Sequence, residues 1–409
     1  MKARKILAFA PIIASINLLS SSCSLFIKKE ESSKDDYTKN QKDVLDETKS
    51  IRIMHWNILN FGGEKHIKNS FKFYALSEII RKSNSSIIGL TEVNFNDGDK
   101  ISKLVEQINN DDNSNRFKFI IQSENEAVSK IHNNSKELIA IIYDSTKVKP
   151  VEFTNGRIGE SFNQNISDVT VNKNTNEISL TDLKRNTYVR PPFGAKFEII
   201  SWNKNITTFF SHLDSPGAKN KEKNISGFLK RNNKSFEIKS VGSQELAEVL
   251  NLENVFEYYD NLSGENDNNI IFGGDTNIDS SGSYAFDYLK YKNYYDAKDS
   301  TNEKYLTSLT TDQHFKKGKS PYVNSYDKWL FNEVDIDFID AKENPEFDYK
   351  IQIDKAFSNG LLDKEISTKK YIHDYKKSTN NKDKHPSDYR IIRIGLSDHA
   401  PIIIDVKNK

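Results

Sequence analysis

Residues 270–279, IIFGGDTNID, decide how the rest of the chain is read. Three apolar residues run into Gly273 and Gly274, and Asp275 and Asn277 then follow two positions apart. The pattern predicts a buried strand whose carboxy end delivers a carboxylate and an amide together. The glycine pair permits a tight exit of the backbone. Side chains two apart on extended backbone point the same way, so Asp275 and Asn277 would face one ligand. By itself the stretch reads equally well as a strand with a polar turn, and what decides between the two is the rest of the chain.

Working outward, 51–59 (IRIMHWNIL) reads as a strand carrying Trp56 and Asn57, and 68–83 as an amphipathic helix. Residues 86–94 (SIIGLTEVN) give a second strand ending near Glu92, and Asp99 would cap a second helix. Strand, helix, strand, helix predicts a layered α/β domain. Further strands are expected at 117–121 and 137–143, with Glu137 opening the latter. A hairpin is expected over 196–202 and 205–212, ending at His212, and a short helix over 243–250. Late strands fall at 325–331 and 400–406. Lys- and Asn-rich stretches at 155–187, 215–240 and 342–388 read as surface insertions.

Composition narrows the class. The 409 residues carry a formal charge of +1, far from the basic excess of a protein that coats nucleic acid. The 24 Phe and 18 Tyr supply the bulk for a core. Cys23 is the sole cysteine, which excludes an intramolecular disulfide and a thiolate zinc site.

The first residues carry an address. Lys2, Arg4 and Lys5 precede an apolar run at 6–19 that is too short to span a bilayer and suits a secretory signal. The run ends LLSSSCS, which resembles a bacterial lipoprotein signal with Cys23 as the lipidated residue, although Ser20–Ser22 depart from the usual small-residue pattern. The expected division is a signal at 1–22, a lipidated Cys23 with a polar tether to residue 50, and a catalytic domain over 51–409. Loss of the three leader cations would take the formal charge from +1 to −2.

Polar residues recur at the ends of the expected strands: Asn57, Glu92, Glu137, His212, Asp275 with Asn277, Asp327, and Asp398 with His399. Ligands bind at sheet rims, so such ends can converge on one cleft. In order they form WN at 56–57, TE at 91–92, E-x-x-A-I-I-Y at 137–143, R-x-P at 190–192, SHLD at 211–214, GDTN at 274–277, YD at 326–327 and SDH at 397–399. This string resembles the endonuclease/exonuclease/phosphatase superfamily, typified by pancreatic-type deoxyribonuclease, and runs through almost all of 51–406. With its leader and lone cysteine the chain looks most like mycoplasma-type membrane nuclease lipoproteins.

The resemblance implies an α/β four-layer sandwich, two packed mixed β-sheets flanked by helices. It implies Glu92 as a metal ligand, with Asn57 and Asp398 completing a site for Mg²⁺ and/or Ca²⁺. All of these ligands are oxygens, which suits a hard cation. It also implies that His212 pairs with Glu137 and His399 with Asp327. Arg190 would grip a substrate phosphate, while Asp275 and Asn277 orient water and the transition state. Which imidazole is the base stays open, and Asp275 is a third candidate. Asp335 and Asp337 compete for the Asp327 position; SYDKWLF keeps a tyrosine before and an apolar run after, and Asp327 is preferred. The other histidines (55, 66, 132, 314, 373, 385) match no motif and are expected at the surface.

The function implied is hydrolysis of phosphodiester bonds in DNA, or RNA, with low sequence specificity, on the outer face of a membrane reached through Cys23. A sphingomyelinase-like phosphoesterase and a non-catalytic adhesin are the alternatives. Residues 219–239 carry seven cations against two acids, the local excess expected of a loop that tracks a polyanion.

Overall fold

The computed structural model describes residues 50–63, 70–132, 135–215, 224–264, 269–293, 302–332, 334–339, 348–378 and 385–409. Cys23, its leader and tether, His66 and Lys219, Lys221 and Lys223 lie outside them.

The chain opens with β1 (Ser50–Phe61), α1 (Phe71–Lys82), β2 (Ile87–Asn94), α2 (Asp99–Asp111), β3 (Phe117–Ile121), α3 (Glu124–Ala127) and β4 (Glu137–Asp144). Next come β5 (Val148–Val151), β6 (Gly159–Ser161), β7 (Val169–Val171), β8 (Ile178–Leu180), β9 (Phe193–Ile199) and β10 (Lys204–His212). A hairpin of β11 (Asn224–Arg231) and β12 (Lys234–Gly242) leads to α4 (Ser243–Leu250), α5 (Leu252–Ser263) and β13 (Ile270–Asp275). The last part holds α6 (Tyr284–Tyr288), β14 (Lys292–Asn293), α7 (Asp312–Lys316), β15 (Asp327–Asn332), β16 (Ile336–Ile339), α8 (Lys364–Ser378), α9 (Asp388–Gly395) and β17 (Ile402–Asn408).

Two large mixed sheets result. Sheet one runs β16-β17-β1-β2-β4-β3, and sheet two runs β14-β15-β13-β10-β9-β5 with β6 beside β9. Each has one parallel pair at its centre, β1 with β2 and β10 with β13, and antiparallel neighbours outside. The carboxy ends of a parallel pair are where a ligand crevice forms.

Period-2 alternation explains the layers. On β1 the odd residues Ile51 and Ile53 enter a core shared by both sheets, while Met54, Trp56 and Ile58 pack under helices α1, α2, α8 and α9. Ile139 and Ile141, Phe210, Ile271, Trp329 and Phe331, and Ile402 and Ile404 fill the same inter-sheet core. A third cluster joins α4, α5 and α6 to the outer face of sheet two. The order is helix, sheet, sheet, helix, the four-layer arrangement expected. The sheets approach closely at Gly89, where a Cβ would lie 2.2 Å from the Phe210 ring.

Several expectations change. The stretches 155–187 and 342–388 are not merely surface: Phe162, Ile166 and Ile178 enter the third cluster, and Ile351, Leu361 and Tyr371 enter the first. Sparse apolar residues among Lys and Asn suffice to anchor them. The expected basic loop is, over 224–242, an antiparallel hairpin. There Lys230 pairs with Glu177 at 2.9 Å, Arg231 with Glu253, and Lys239 with Glu237 at 3.1 Å, so much of its positive excess is neutralised. Asp99 does not cap α2: Gly98 is the N-cap, and Asp99 sits in the first turn, where its charge still favours the helix N-terminus. His55, expected at the surface, is fully buried because it continues the inward face of Ile51 and Ile53. His314, His373 and His385 are exposed, and His132 is half-buried with Nε2 3.1 Å from Asn186.

Candidate functional site

The inward faces that build the shared core end in polar residues. Asn57 follows Ile53 and His55; Glu137 precedes Ile139; His212 follows Phe210; Asp275 follows Gly273; Asp327 precedes Trp329. Alternation alone therefore gathers them at one mouth of the inter-sheet layer. The register completes the set, since His212 lies opposite Asp275 on β13 and Asp275 opposite Asp327 on β15. His399 arrives from the turn before β17, fixed by Ser397, whose hydroxyl accepts its N–H at 2.9 Å and donates to Asn57 O at 2.7 Å.

Acid and base alternate through this mouth. Arg190 Nε lies 3.1 Å from Glu137 Oε2, and Glu137 Oε1 lies 2.8 Å from His212 Nδ1. His212 Nε2 is 3.7 Å from Asp275 Oδ2, and on its other side His399 Nε2 is 3.6 Å from the same oxygen. His399 Nδ1 is 2.8 Å from Asp327 Oδ2, and Asp327 Oδ1 is 3.6 Å from His55 Nδ1. A carboxylate can only accept, so each Nδ1 facing one carries the proton. Both remaining Nε2 atoms then face Asp275.

Burial alone would lower the pKa of His212, but Glu137 and Asp275 outweigh it and hold the imidazole above its ordinary value. His399 is also penalised by burial, yet Asp275 and Asp327 hold it well above that value. Glu137 is lowered: its burial is overcome by His212 and Arg190. His55 goes the other way, to about 3, through burial, with His399 and His212 adding to it against Asp275.

Asn57 Nδ2 donates to Glu92 Oε1 at 2.8 Å and to Asp275 Oδ2 at 2.9 Å, joining the two sheets. Its Oδ1 accepts Leu59 N–H at 3.0 Å, which fixes the amide's orientation. Glu92 sits at a register break in β2 with φ 61°, a left-handed conformation that costs a non-glycine residue on the order of 1–3 kcal/mol. The neighbouring break in β1 sets Asn60 N–H 2.9 Å from Glu92 Oε2. Paired bulges beside a polar mouth re-aim side chains in this way.

Other expected residues sit less simply. Arg190 is buried; its Nη1 donates to Leu213 O at 2.7 Å and to His212 O at 3.3 Å, so much of its fork is committed within the protein. Asn277 also donates to Leu213 O, at 3.1 Å. The side chain of Asp398 is partly exposed, 3.9 Å from Arg393 Nη2 and outside the Asn57–Glu92–Asp275 network. Asp335 lies apart, against Asn269 and Lys204.

Sequence reading missed two residues besides His55. Glu248 is fully buried on α4 and takes Val189 N–H at 2.6 Å and Asp214 N–H at 2.8 Å, clamping the segments that carry Arg190 and His212. Burial pushes its carboxyl up to about 7 against those donors. Lys328, buried behind Asp327, donates to Ile278 O at 2.7 Å and to Ser325 O, tying the GDTN turn to β15.

A divalent cation fits the donor set. Four carboxylates (Glu92, Glu137, Asp275, Asp327) surround one guanidinium and two imidazoles, an excess of acid in a largely desolvated mouth, while Asp398 stays partly exposed beside Arg393. Asp275, Asp327 and His399 offer donor atoms within 4.8 Å of one another. In that trio the proton favoured on His399 competes with a metal ion. Glu92 and Asp275, both oxygen donors, better suit a hard cation. Asn57, expected as a third ligand, instead turns its NH₂ to both carboxylates and its Oδ1 to Leu59 N–H, so it positions them. When bound, such a cation supplies charge for a phosphate oxygen.

No protein-family model and no curated protein sequence matches the chain. Several solved structures are similar in fold. The human Nocturnin catalytic domain with bound sulfate is 11% identical, with TM-score 0.46, and the match covers 88% of this chain and 94% of that one. An endonuclease/exonuclease/phosphatase family protein from Bacteroides thetaiotaomicron is 12% identical at TM-score 0.44, covering 88% and 98%. A mannosyl-6-phosphatase from the same organism is 12% identical at TM-score 0.43, covering 87% and 99%.

Proposed function

We propose that this protein is a metal-dependent phosphodiesterase that cleaves nucleic acid, a membrane nuclease held at the cell surface by lipidated Cys23. One observation carries the reading: two imidazoles, each fixed at Nδ1 by a carboxylate, present Nε2 to the same buried carboxylate oxygen. Phosphodiester hydrolysis needs a proton taken from water and a proton given to the leaving oxygen. Glu137 and Asp327 fix the tautomers and stabilise the imidazolium forms. Asp275 orients both rings, and Asn57 holds Asp275 against Glu92. Arg190 keeps Glu137 ionised.

The test is a substrate panel: supercoiled plasmid, linear duplex, RNA, sphingomyelin and a chromogenic phosphodiester, each with Mg²⁺, Ca²⁺ or chelator. Plasmid and the small diester should be cleaved, and chelator should abolish both reactions. Glu92→Gln should raise the metal concentration for half-maximal rate by about 10–100-fold. Full activity in chelator, or turnover of sphingomyelin alone, would overturn the reading.

A polymer substrate is supported by the wall beside His399. Leu309 N–H donates to Asp398 O at 2.7 Å, and Ser308 bridges His399, so the segment that leads into α7 lies beside the mouth, and α7 itself packs on α9. Lys316, Lys317 and Lys319 there are exposed and carry no ion pair among the described residues. Phe315, also exposed, stacks on Tyr389 at 3.9 Å. Aromatic faces among lysines suit a nucleic-acid strand. The triple substitution of these lysines by alanine should flatten the salt dependence of plasmid cleavage by roughly two to three units of log–log slope. Hydrolysis of the chromogenic diester should not change; equal salt slopes on plasmid would remove the wall from substrate binding.

The anchor has its own test. Cys23→Ser should move the protein from the membrane fraction to the medium with its specific activity intact. Retention on membranes after a high-salt wash would count against a lipid.

A further inference from the structure

We propose that His55 is a positioning residue of this site: its Nδ1–H holds the Asp327 carboxylate in the orientation that keeps His399 aimed at Asp275. The inference rests on the function proposed above.

His55 and Asp327 are both fully buried, one on β1 of sheet one and the other on β15 of sheet two. His55 Nδ1 and Asp327 Oδ1 are 3.6 Å apart, and neither atom has a hydrogen-bond partner. Two orphaned polar atoms facing each other in a core are costly unless they serve each other. The separation exceeds a hydrogen bond. In a desolvated layer, however, an N–H dipole aimed at a carboxylate still contributes substantially.

The proton's position follows from chemistry. Asp327 can only accept, so His55 carries its hydrogen on Nδ1. Nε2 then has a lone pair for Thr91 Oγ1, 3.3 Å away, whose hydroxyl can donate. The ring lies parallel to Phe210, with centroids 6.1 Å apart and an interplanar angle of 14°, which fixes its plane. Asp327 thus stands between two imidazoles. Its Oδ2 accepts from His399 at 2.8 Å, and its Oδ1, which accepts no hydrogen bond, faces the N–H of His55 at 3.6 Å. Without that second donor, Oδ1 would face hydrocarbon, and rotating the carboxylate to relieve this would break the His399 bond.

The competing account is that His55 merely fills space between the sheets. Two substitutions separate the accounts because they reverse the order of effects. His55→Phe keeps volume and stacking but removes the donor. His55→Asn keeps a donor near the position of Nδ1 but leaves a cavity. If His55 positions Asp327, His55→Phe should melt near the wild-type temperature yet lose about tenfold to a hundredfold in kcat, with KM within about twofold. His55→Asn should melt lower but recover most of that kcat. A space-filling role predicts the opposite ranking, with His55→Phe as active as wild type, and that result overturns the proposal.

A second readout does not depend on turnover. The Nδ1 proton of His399 should give a low-field ¹H resonance, assigned by its loss in His399→Ala. It should persist in wild type and His55→Asn and vanish in His55→Phe. Persistence in His55→Phe likewise overturns the proposal. A wild-type enzyme inactive on every substrate would sink the proposed function while leaving the resonance to decide the role of His55.

Discussion

Asp275→Asn should fold normally and lose about a thousandfold or more of its turnover. Asp275 Oδ2 meets His212 Nε2 at 3.7 Å, His399 Nε2 at 3.6 Å and the Asn57 amide at 2.9 Å. Every one of these groups can donate a proton. An asparagine oxygen would still accept, but without the charge that helps to raise the pKa of both imidazoles, and turned over it would set an NH₂ among donors. Proton transfer by each imidazole contributes roughly 10²–10⁴-fold, and Asp275 governs both. The measurement is kcat/KM on plasmid and on a chromogenic diester, with circular dichroism confirming the fold. Activity within about tenfold of wild type, on the same scale, would remove Asp275 from the centre of the mechanism.

His212→Ala and His399→Ala should each lower kcat by roughly 10²–10⁴-fold. The double variant should be little worse than the poorer single one, because groups that act as a unit are not additive. The two singles should differ with the leaving group. A p-nitrophenolate departs without a proton, so the variant lacking the acid should recover on that substrate while the variant lacking the base should not. This assigns the roles that sequence leaves open. Recovery of neither would mean that neither imidazole serves as the acid.

Much of the architecture was legible because periodicity and punctuation agree. The strand at β13 ends at the Gly-Gly-Asp that marks it in the sequence, and α4 spans 243–250 as its apolar spacing predicts. His212 and Asp275, 63 positions apart, come side by side because their strands are central and parallel, an inference that needed the family pattern rather than local propensity. What escaped was polar residues on buried faces. His55 continues the inward series Ile51, Ile53, yet a histidine between Met54 and Trp56 reads locally as the polar half of an alternation. Glu248 fails the same way: it lies among Leu246, Val249 and Leu250, and the backbone donors that justify its burial come from Val189 and Asp214. Partners that distant leave no local signature. The paired breaks at Asn57–Phe61 and Leu90–Val93 also have no glycine or proline to announce them.

The division of the chain between the two sheets has a consequence for biosynthesis. Sheet two is drawn from 148–332, an uninterrupted span, whereas sheet one combines 50–144 with 336–408. Three central contacts join the elements of one sheet to the other: Glu137 to His212, Asn57 to Asp275, His399 to Asp327. Strand β17, which fills the gap between β1 and β16, is the last of the described strands to leave the ribosome, and His399 emerges just before it. Until then β1 has an open edge and Asp327 lacks the imidazole it holds. A nascent chain can therefore complete sheet two once β15 has emerged, but its polar mouth stays incomplete until the last described strand follows, so that the centre is assembled only as the chain leaves the ribosome.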